Sequence, residues 1–397
     1  MKRFLAKVLL SLTSALLCLV LLEGVTRVIL SRDPDGDLVF SYVRLKPFHP
    51  PLEKARVFID TYEKEKSSAL MTYDPDLGWR PTARSSGGNI DGFASTRLDP
   101  DKAPRPGTLR IALFGGSYTR GGGDKSWWKV LEEQLQKRGI DAEVLNFGVG
   151  GFAMDQAFLR WKKDGAAYHP NVVIFGFSPG NIMDNVNILR LLQNRDTGIP
   201  FTKPRFLLDN GSLTLINSPT VPPEMLLPNI ANLSHWPLLK YDFYYNPEDY
   251  RPRWWEASRL LAFAEARKDA ATRIARERRF YQMDREPGQL ALKIIQEFKG
   301  DVERTGARFL VIHLPAAPDL ADYQAGGVFC YPELYRDIQE SAPVIQTEQN
   351  LITVIGKANP RSFFLYSHYG DAINTSVGAT AAEYIAAHCG KDALENK

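Results

Sequence analysis

The chain has 397 residues, 44% hydrophobic and 24% charged, which is enough apolar material for a large buried core and too little bias for a disordered chain. Its 49 Lys and Arg against 46 Asp and Glu leave a net charge of +3, so composition offers no basic surface for nucleic acid. The one basic cluster, Arg273, Arg276, Arg278 and Arg279, lies in a polar helical stretch and reads as a solvated face.

At the amino terminus Lys2, Arg3 and Lys7 precede an uncharged run from Val8 to Leu22, and the helical pattern continues to Leu30 with Glu23 and Arg27 as interruptions. Counted from Phe4, with Lys7 snorkelling to the surface, the segment reaches the roughly 20 residues of a membrane span. No Ala-x-Ala-like cleavage site follows, and Cys18 lacks the small residue before it that a lipoprotein signal needs. Residues 1–30 are therefore expected to be an uncleaved signal anchor, with a cleaved signal peptide as the rival reading. The basic flank stays in the cytoplasm, which puts the rest of the chain outside the inner membrane, in the periplasm of a bacterium.

From Ser31 to Gly107 the chain is rich in Pro, Asp and Lys and reads as a stalk and lead-in, with a charged helical patch from Leu52 to Lys66. Within it Tyr73, Trp79 and Arg80 read as packing residues. A domain over 108–390 is expected to follow.

Residues 109–121 form an apolar strand, Leu-Arg-Ile-Ala-Leu-Phe, that runs into a glycine turn presenting one serine, Ser117. Gly115 and Gly116 tolerate the dihedrals of a sharp turn at the strand end, and Ser117 would open the next helix, where backbone amides stabilise an oxyanion. Spacing argues against a phosphate loop, and a purely structural turn is the other competing reading. Asp124 stands where a Walker loop needs glycine before Lys125-Ser126, and the glycines at 115, 116, 121, 122 and 123 miss the dinucleotide pattern.

Two further segments repeat the logic. Residues 142–151 read as a buried strand followed by a glycine turn at Gly151, and residues 171–185 do the same with Asn181 in the turn. In an open parallel sheet the functional crevice lies beyond the carboxyl ends of the strands, so Ser117, Gly151 and Asn181 are expected to converge there.

A long insertion, about 186–306, follows. Phe206 to Leu215 carries Asn-Gly between apolar runs and reads as a hairpin, while Ala257–Phe280 and Pro287–Thr305 read as helices. Its aromatic residues Trp236, Tyr241, Phe243, Tyr244, Tyr245, Tyr250, Trp254 and Trp255 suit either subdomain packing or the stacking of a sugar or covering of an acyl group.

A fourth strand is expected at 307–313, and a fifth at 362–366. His313 at the end of the fourth reads as a partly buried strand-end histidine, with a reach to the crevice as the rival reading. His49, His169, His235 and His388 show no metal-ligand spacing, and no metal or other cofactor is expected. Cys330 and Cys389 are either a pair or two buried thiols.

In order and spacing these segments resemble the SGNH (GDSL-type) hydrolases. Ser117 in Phe-Gly-Gly-Ser-Tyr-Thr-Arg-Gly is similar to that family's nucleophile, and Gly151 in Asn-Phe-Gly-Val-Gly-Gly-Phe to its oxyanion glycine. Asn181 in Ser-Pro-Gly-Asn-Ile resembles the oxyanion asparagine, and His368 in Tyr-Ser-His-Tyr-Gly-Asp the general base. The anchor end Leu-Leu-Glu-Gly-Val-Thr-Arg and residues 73–80, Tyr-Asp-Pro-Asp-Leu-Gly-Trp-Arg, resemble membrane-anchored bacterial members.

Two segments depart from the pattern. Gly116 replaces the aspartate of the GDS signature, and Leu365 and Tyr366 stand where the family keeps its triad acid. In serine-triad enzymes losing the acid costs about 10⁴ in turnover. Asp371 is a substitute acid if the chain folds it back under the imidazole, and a backbone carbonyl or Ser367 is the other means of orienting the ring.

The resemblance implies a three-layer α/β/α fold with a mainly parallel sheet, of the flavodoxin-like SGNH type. It implies a serine esterase with Ser117 as nucleophile and His368 as base, and an oxyanion hole from Ser117, Gly151 and Asn181. Address and family together point to acyl, in particular O-acetyl, esters of a cell-surface or secreted polysaccharide as substrate. The alternatives are a polysaccharide O-acyltransferase with the same site, or an inactive glycan-binding or assembly protein.

Overall fold

The computed structural model describes residues 1–41, 43–64, 70–86, 91–97, 100–123 and 125–389. The end of the charged patch at 65–66 and the expected domain end at 390 lie outside them. The chain divides into two compact units. One comprises Met1–Thr61, Arg190–Pro200 and Pro223–Glu277, and the other Tyr62–Leu189, Phe201–Pro222 and Arg278–Lys397.

The second unit is built on a five-stranded sheet of β1 (Leu109–Gly115), β2 (Ala142–Asn146), β3 (Val172–Phe177), β4 (Arg308–His313) and β5 (Val344–Ile345). Their order is β5-β4-β3-β1-β2 and every pairing is parallel. The first three strands are buried at every position, as expected of a parallel sheet covered on both faces.

Alternation along the strands separates the two covering layers. Leu109, Ile111, Leu113, Val144, Val172, Ile174, Leu310 and Ile312 pack with Trp127, Leu131 and Leu135 of helix Trp127–Lys137 and with Ile373, Val377, Ala381 and Ile385 of helix Asp371–His388. Phe114, Phe175 and Phe309 point the other way and meet Phe298 of helix Glu286–Glu303 at ring distances of 5.9, 5.9 and 5.1 Å. Phe158 of helix Met154–Arg160 stacks on the same ring at 5.2 Å. The expected three-layer α/β/α sandwich is therefore present.

The fifth strand is corrected. Residues 360–363 form a 3₁₀ turn, and Phe364–Leu365 pairs only with His368–Tyr369, in a two-stranded hairpin outside the main sheet. Tyr366 and Ser367 have φ of +47° and +67°, which turns the chain back instead of letting it run on as a sheet strand. The place at the sheet edge is taken by Val344–Ile345, two residues with no period to read.

The predicted hairpin forms as Arg205–Asp209 against Ser212–Ile216, with Asn210 and Gly211 at φ +47° and +79°, the left-handed pair that a two-residue hairpin loop requires. The two insertion helices run Arg259–Arg278 and Glu286–Glu303. Beside the hairpin, Lys203 and Asp155 are fully buried and bonded to each other. Desolvation drives the Lys203 ammonium down and the Asp155 carboxyl up, each opposed by its partner's charge.

In the first unit, helix Lys2–Ile29 is long and apolar enough to cross a membrane, and its window of apolar residues is not buried in protein. Helix Arg259–Arg278 packs Ala262, Phe263 and Ala266 against Leu30, Leu38, Val43 and Leu45. The insertion aromatics described here lie in this unit. Arg276 sits 3.7 Å from the Phe243 ring, Tyr245 meets Tyr250, and Trp236 is buried, whereas Trp254 is 84% exposed.

Candidate active site

At the carboxyl end of β1, Gly115 takes φ +155° and pairs with Gly176 of β3. A Cβ on either glycine would stand within about 2.1 Å of Thr119 Oγ1. The two glycines thus form a slot that admits the Thr119 side chain and seats the Ser117–Arg120 helical turn directly on the sheet edge. Ser117 is the first residue of that turn, so its N–H has no intrahelical acceptor.

The turn is held from below by Asn146 at the end of β2. Its side-chain amide donates to the carbonyls of Thr119 (3.0 Å) and Arg120 (3.1 Å), and its oxygen accepts from Gly148 N–H (2.9 Å). Sequence reading placed the 142–151 turn but missed Asn146. Its signal was a polar side chain at the strand's carboxyl end, directly after the apolar pair Val144-Leu145.

The three expected oxyanion contributors gather at this edge. Asn181, in helix Gly180–Asn185 after β3, donates from Nδ2 to the carbonyl of Phe152 at 2.9 Å, and that nitrogen stands 2.9 Å from where a Cβ on Gly116 would project. An asparagine amide carries a second hydrogen, available at the same position. Gly151 turns with φ +76°, and the carbonyl of Gly150 beside it accepts from Trp79 Nε1 at 3.1 Å. Trp79 is fully buried, so the lead-in segment packs as expected and also pins this loop. Glycine at 116, where the resemblance would put aspartate, leaves room for the Asn181 amide.

Ser117 and His368 line one cleft of about 480 Å³, together with Tyr118, the glycines 121–123, Gly150, Tyr366 and Asp371. His368 lies on the 364–369 hairpin, and its Nδ1 is 3.0 Å from the Tyr366 carbonyl. A carbonyl only accepts, so in the neutral ring Nδ1 carries the proton and Nε2 is the acceptor. The hairpin is tied to the serine loop by Tyr118, whose hydroxyl donates to the Ser367 carbonyl at 2.6 Å and whose ring lies 5.3 Å from the imidazole and 4.9 Å from Tyr369. Burial, with the charge of Asp319 second, raises the Tyr118 phenol and keeps it a donor.

Asp371 opens the helix that follows the hairpin, is well exposed, and stands 3.8 Å from Lys125 Nζ. Among the described residues the imidazole of His368 meets a carbonyl and no carboxylate.

His313 is fully buried and away from the cleft lining. Its ring bonds Glu348 through Nδ1 (3.0 Å) and Tyr331 through Nε2 (3.1 Å), and packs against Phe329 and Tyr335. The strand-end reading therefore holds. Cys330 is exposed and Cys389 buried, and no disulfide joins them.

The fold and the cleft together define an α/β protein with a serine and a histidine at the carboxyl edge of a parallel sheet. No family model and no curated protein matches the chain. Among solved structures, an acetyl xylan esterase is similar over 70% of this chain and 100% of its own, at 12% identity and a TM-score of 0.39. A lipase/acylhydrolase from Enterococcus faecalis matches over 70% and 94% at 13% identity and a TM-score of 0.34. A GDSL-like lipase from Bacteroides thetaiotaomicron matches over 84% and 98% at 10% identity and a TM-score of 0.32.

Proposed function

We propose that this chain is a serine ester hydrolase of the SGNH type, with Ser117 attacking an acyl carbonyl and His368 Nε2 taking its proton. The observation that carries the reading is the shared cleft of Ser117 and His368, with the imidazole held in the tautomer a general base needs. The N–H groups of Ser117 and Gly151 and the side chain of Asn181 would hold the oxyanion, which pre-set donors stabilise because charge develops there during attack. Proton return from the imidazolium releases the alcohol, and water then cleaves the acyl-enzyme by the same two steps.

In this reading the Tyr366 carbonyl does the orienting that a triad carboxylate does elsewhere, and Asp371 stands beside Lys125, with no bond to the imidazole among the described residues. A carbonyl carries only a partial charge and stabilises an imidazolium less than a carboxylate, so the expected enzyme is slow.

The reading places residues 1–30 as an anchor in the inner membrane, residues 31–107 as the lead-in, and the hydrolase portion in the periplasm. Retention of the helix is supported by Glu23, whose carboxylate accepts from Ser258 Oγ (2.8 Å), Arg259 N–H (3.0 Å) and Leu260 N–H (2.9 Å). A cleaved leader would leave those donors without it. The periplasmic address makes acyl, in particular O-acetyl, groups of a cell-surface or secreted polysaccharide the substrate class we favour.

The test is hydrolysis of p-nitrophenyl acetate and of an acetylated polysaccharide by the full chain, beside Ser117→Ala and His368→Ala. Loss of activity in both variants is the expected result. Equal rates in all three proteins would overturn the mechanism.

A further inference from the structure

The Glu23 contact has a geometric consequence for the segment it holds. About 20 residues of helix span a bilayer's hydrocarbon, and counted from Phe4 they end at Glu23. The remaining turns of the Lys2–Ile29 helix rise about 1.5 Å per residue through the headgroup layer, which is roughly 5–8 Å thick on each side. Glu23 caps the Arg259–Arg278 helix at this level, and Arg27 binds both Glu23 (2.8 Å) and the Ala257 carbonyl (3.1 Å). Thr26 is buried and Leu30 packs with Phe263 and Ala266, so the contact is a docked surface of several residues.

Apolar side chains are left uncovered around that contact: Val25, Val28 and Ile29 on the anchor helix, Phe40 of the short strand Leu38–Phe40, whose ring meets Phe263, and Trp254 and Leu261 on either side of the cap. Trp254 is 84% and Leu261 51% exposed, while Trp255 beside it is braced by Glu265 through Nε1 at 3.1 Å. A tryptophan with an apolar body and one polar N–H is the side chain that favours a membrane–water interface.

We propose that residues 251–261 form a collar that rests in the headgroup layer beside the anchor, with Trp254 and Leu261 entering the bilayer surface. This rests on the signal-anchor reading of residues 1–30. The occupant of the patch is the lipid bilayer that surrounds the helix, because Glu23 and Arg27 fix the patch to the helix that crosses it. Such a collar gives the first unit a second point of membrane contact and restrains its rotation about the anchor.

The test uses the full chain from bacterial membranes, first washed with alkaline carbonate and then placed in phosphatidylcholine nanodiscs with or without bromine on the upper acyl chain. Bromine quenches nearby tryptophan, and Trp254 is the most exposed of the seven tryptophans. The expected result is retention in the washed membrane and quenching in brominated discs that falls by more than half in Trp254→Phe. Retention with equal quenching in both proteins overturns the collar and leaves the anchor standing. Release by carbonate overturns the anchor and the collar with it.

Discussion

The hydroxyl of Tyr118 donates to the carbonyl of Ser367 at 2.6 Å, and these two residues are the chain neighbours of Ser117 and His368. One hydrogen bond therefore couples the backbone that carries Ser117 to the hairpin that carries His368, the nucleophile and base of the proposed mechanism. The Tyr118 ring lies against the imidazole at 5.3 Å and limits its rotation. Such a tie matters more where the histidine is oriented by a carbonyl than where a charged carboxylate holds it.

Tyr118→Phe keeps the ring and deletes the hydroxyl. A lost hydrogen bond of this kind is worth about 1 kcal/mol. We expect kcat to fall about 5-fold to 10-fold with KM little changed, read from steady-state hydrolysis of p-nitrophenyl acetate. A change in KM alone would assign Tyr118 to substrate binding instead of positioning.

Gly116→Ala puts a methyl group 2.9 Å from both Asn181 Nδ2 and the Phe152 carbonyl. The asparagine must shift, and removing one oxyanion donor costs about 10²-fold to 10³-fold in kcat where it has been measured. Displacement is milder than removal, so a loss of about 10-fold or more in kcat is expected, with a lowered Tm because the Phe152 backbone carbonyl must also give. Unchanged turnover would separate Asn181 from the chemistry.

Asp319 is buried at the start of helix Ala317–Gly326, and desolvation pushes its carboxyl up to about 6, against the hydrogen bond from Ala316 N–H that lowers it. The folded state then binds a proton more tightly than the unfolded chain, whose carboxyl titrates near 4. Stability from this group is full below about pH 4 and is lost as pH rises through about 6. Asp319→Asn retains an oxygen to accept from Ala316, so it should stabilise the protein at pH 7 by about 2–3 kcal/mol and leave it unchanged near pH 4. Urea unfolding at the two pH values measures this, and an equal effect at both would remove the titration as its cause.

Lys203 and Asp155 are both fully buried, and Lys203 also donates to the Pro204 carbonyl at 2.8 Å. Removing one partner strands the other charge, which typically costs about 3–5 kcal/mol. Lys203→Ala should lower the urea midpoint accordingly, and adding Asp155→Ala to it should recover part of the loss. A double variant no more stable than the single one would argue against the stranded charge.

The local sequence was enough for the strand-and-turn units around Ser117, Gly151 and Asn181, because each is written in contiguous apolar residues closed by glycine or asparagine. The apolar N-terminal helix, the Asn210-Gly211 hairpin and both insertion helices were likewise legible from local pattern. His368 was legible through its resemblance alone, since nothing in its immediate neighbours marks a base.

What orients His368 was decided by tertiary structure. Left-handed conformations at Tyr366 and Ser367 turn an expected sheet strand into a hairpin, and only that turn brings the Tyr366 carbonyl to Nδ1. Gly176, Asn146 and Tyr118 likewise act on residues 26 to 249 positions away, as the Tyr118 to Ser367 and Asn146 to Arg120 bonds show. Propensity and periodicity are properties of neighbouring residues, so they specify elements and turns. Contacts between residues far apart in the chain exist only once the sheet has set its strand order, and the geometry of the cleft is made of such contacts.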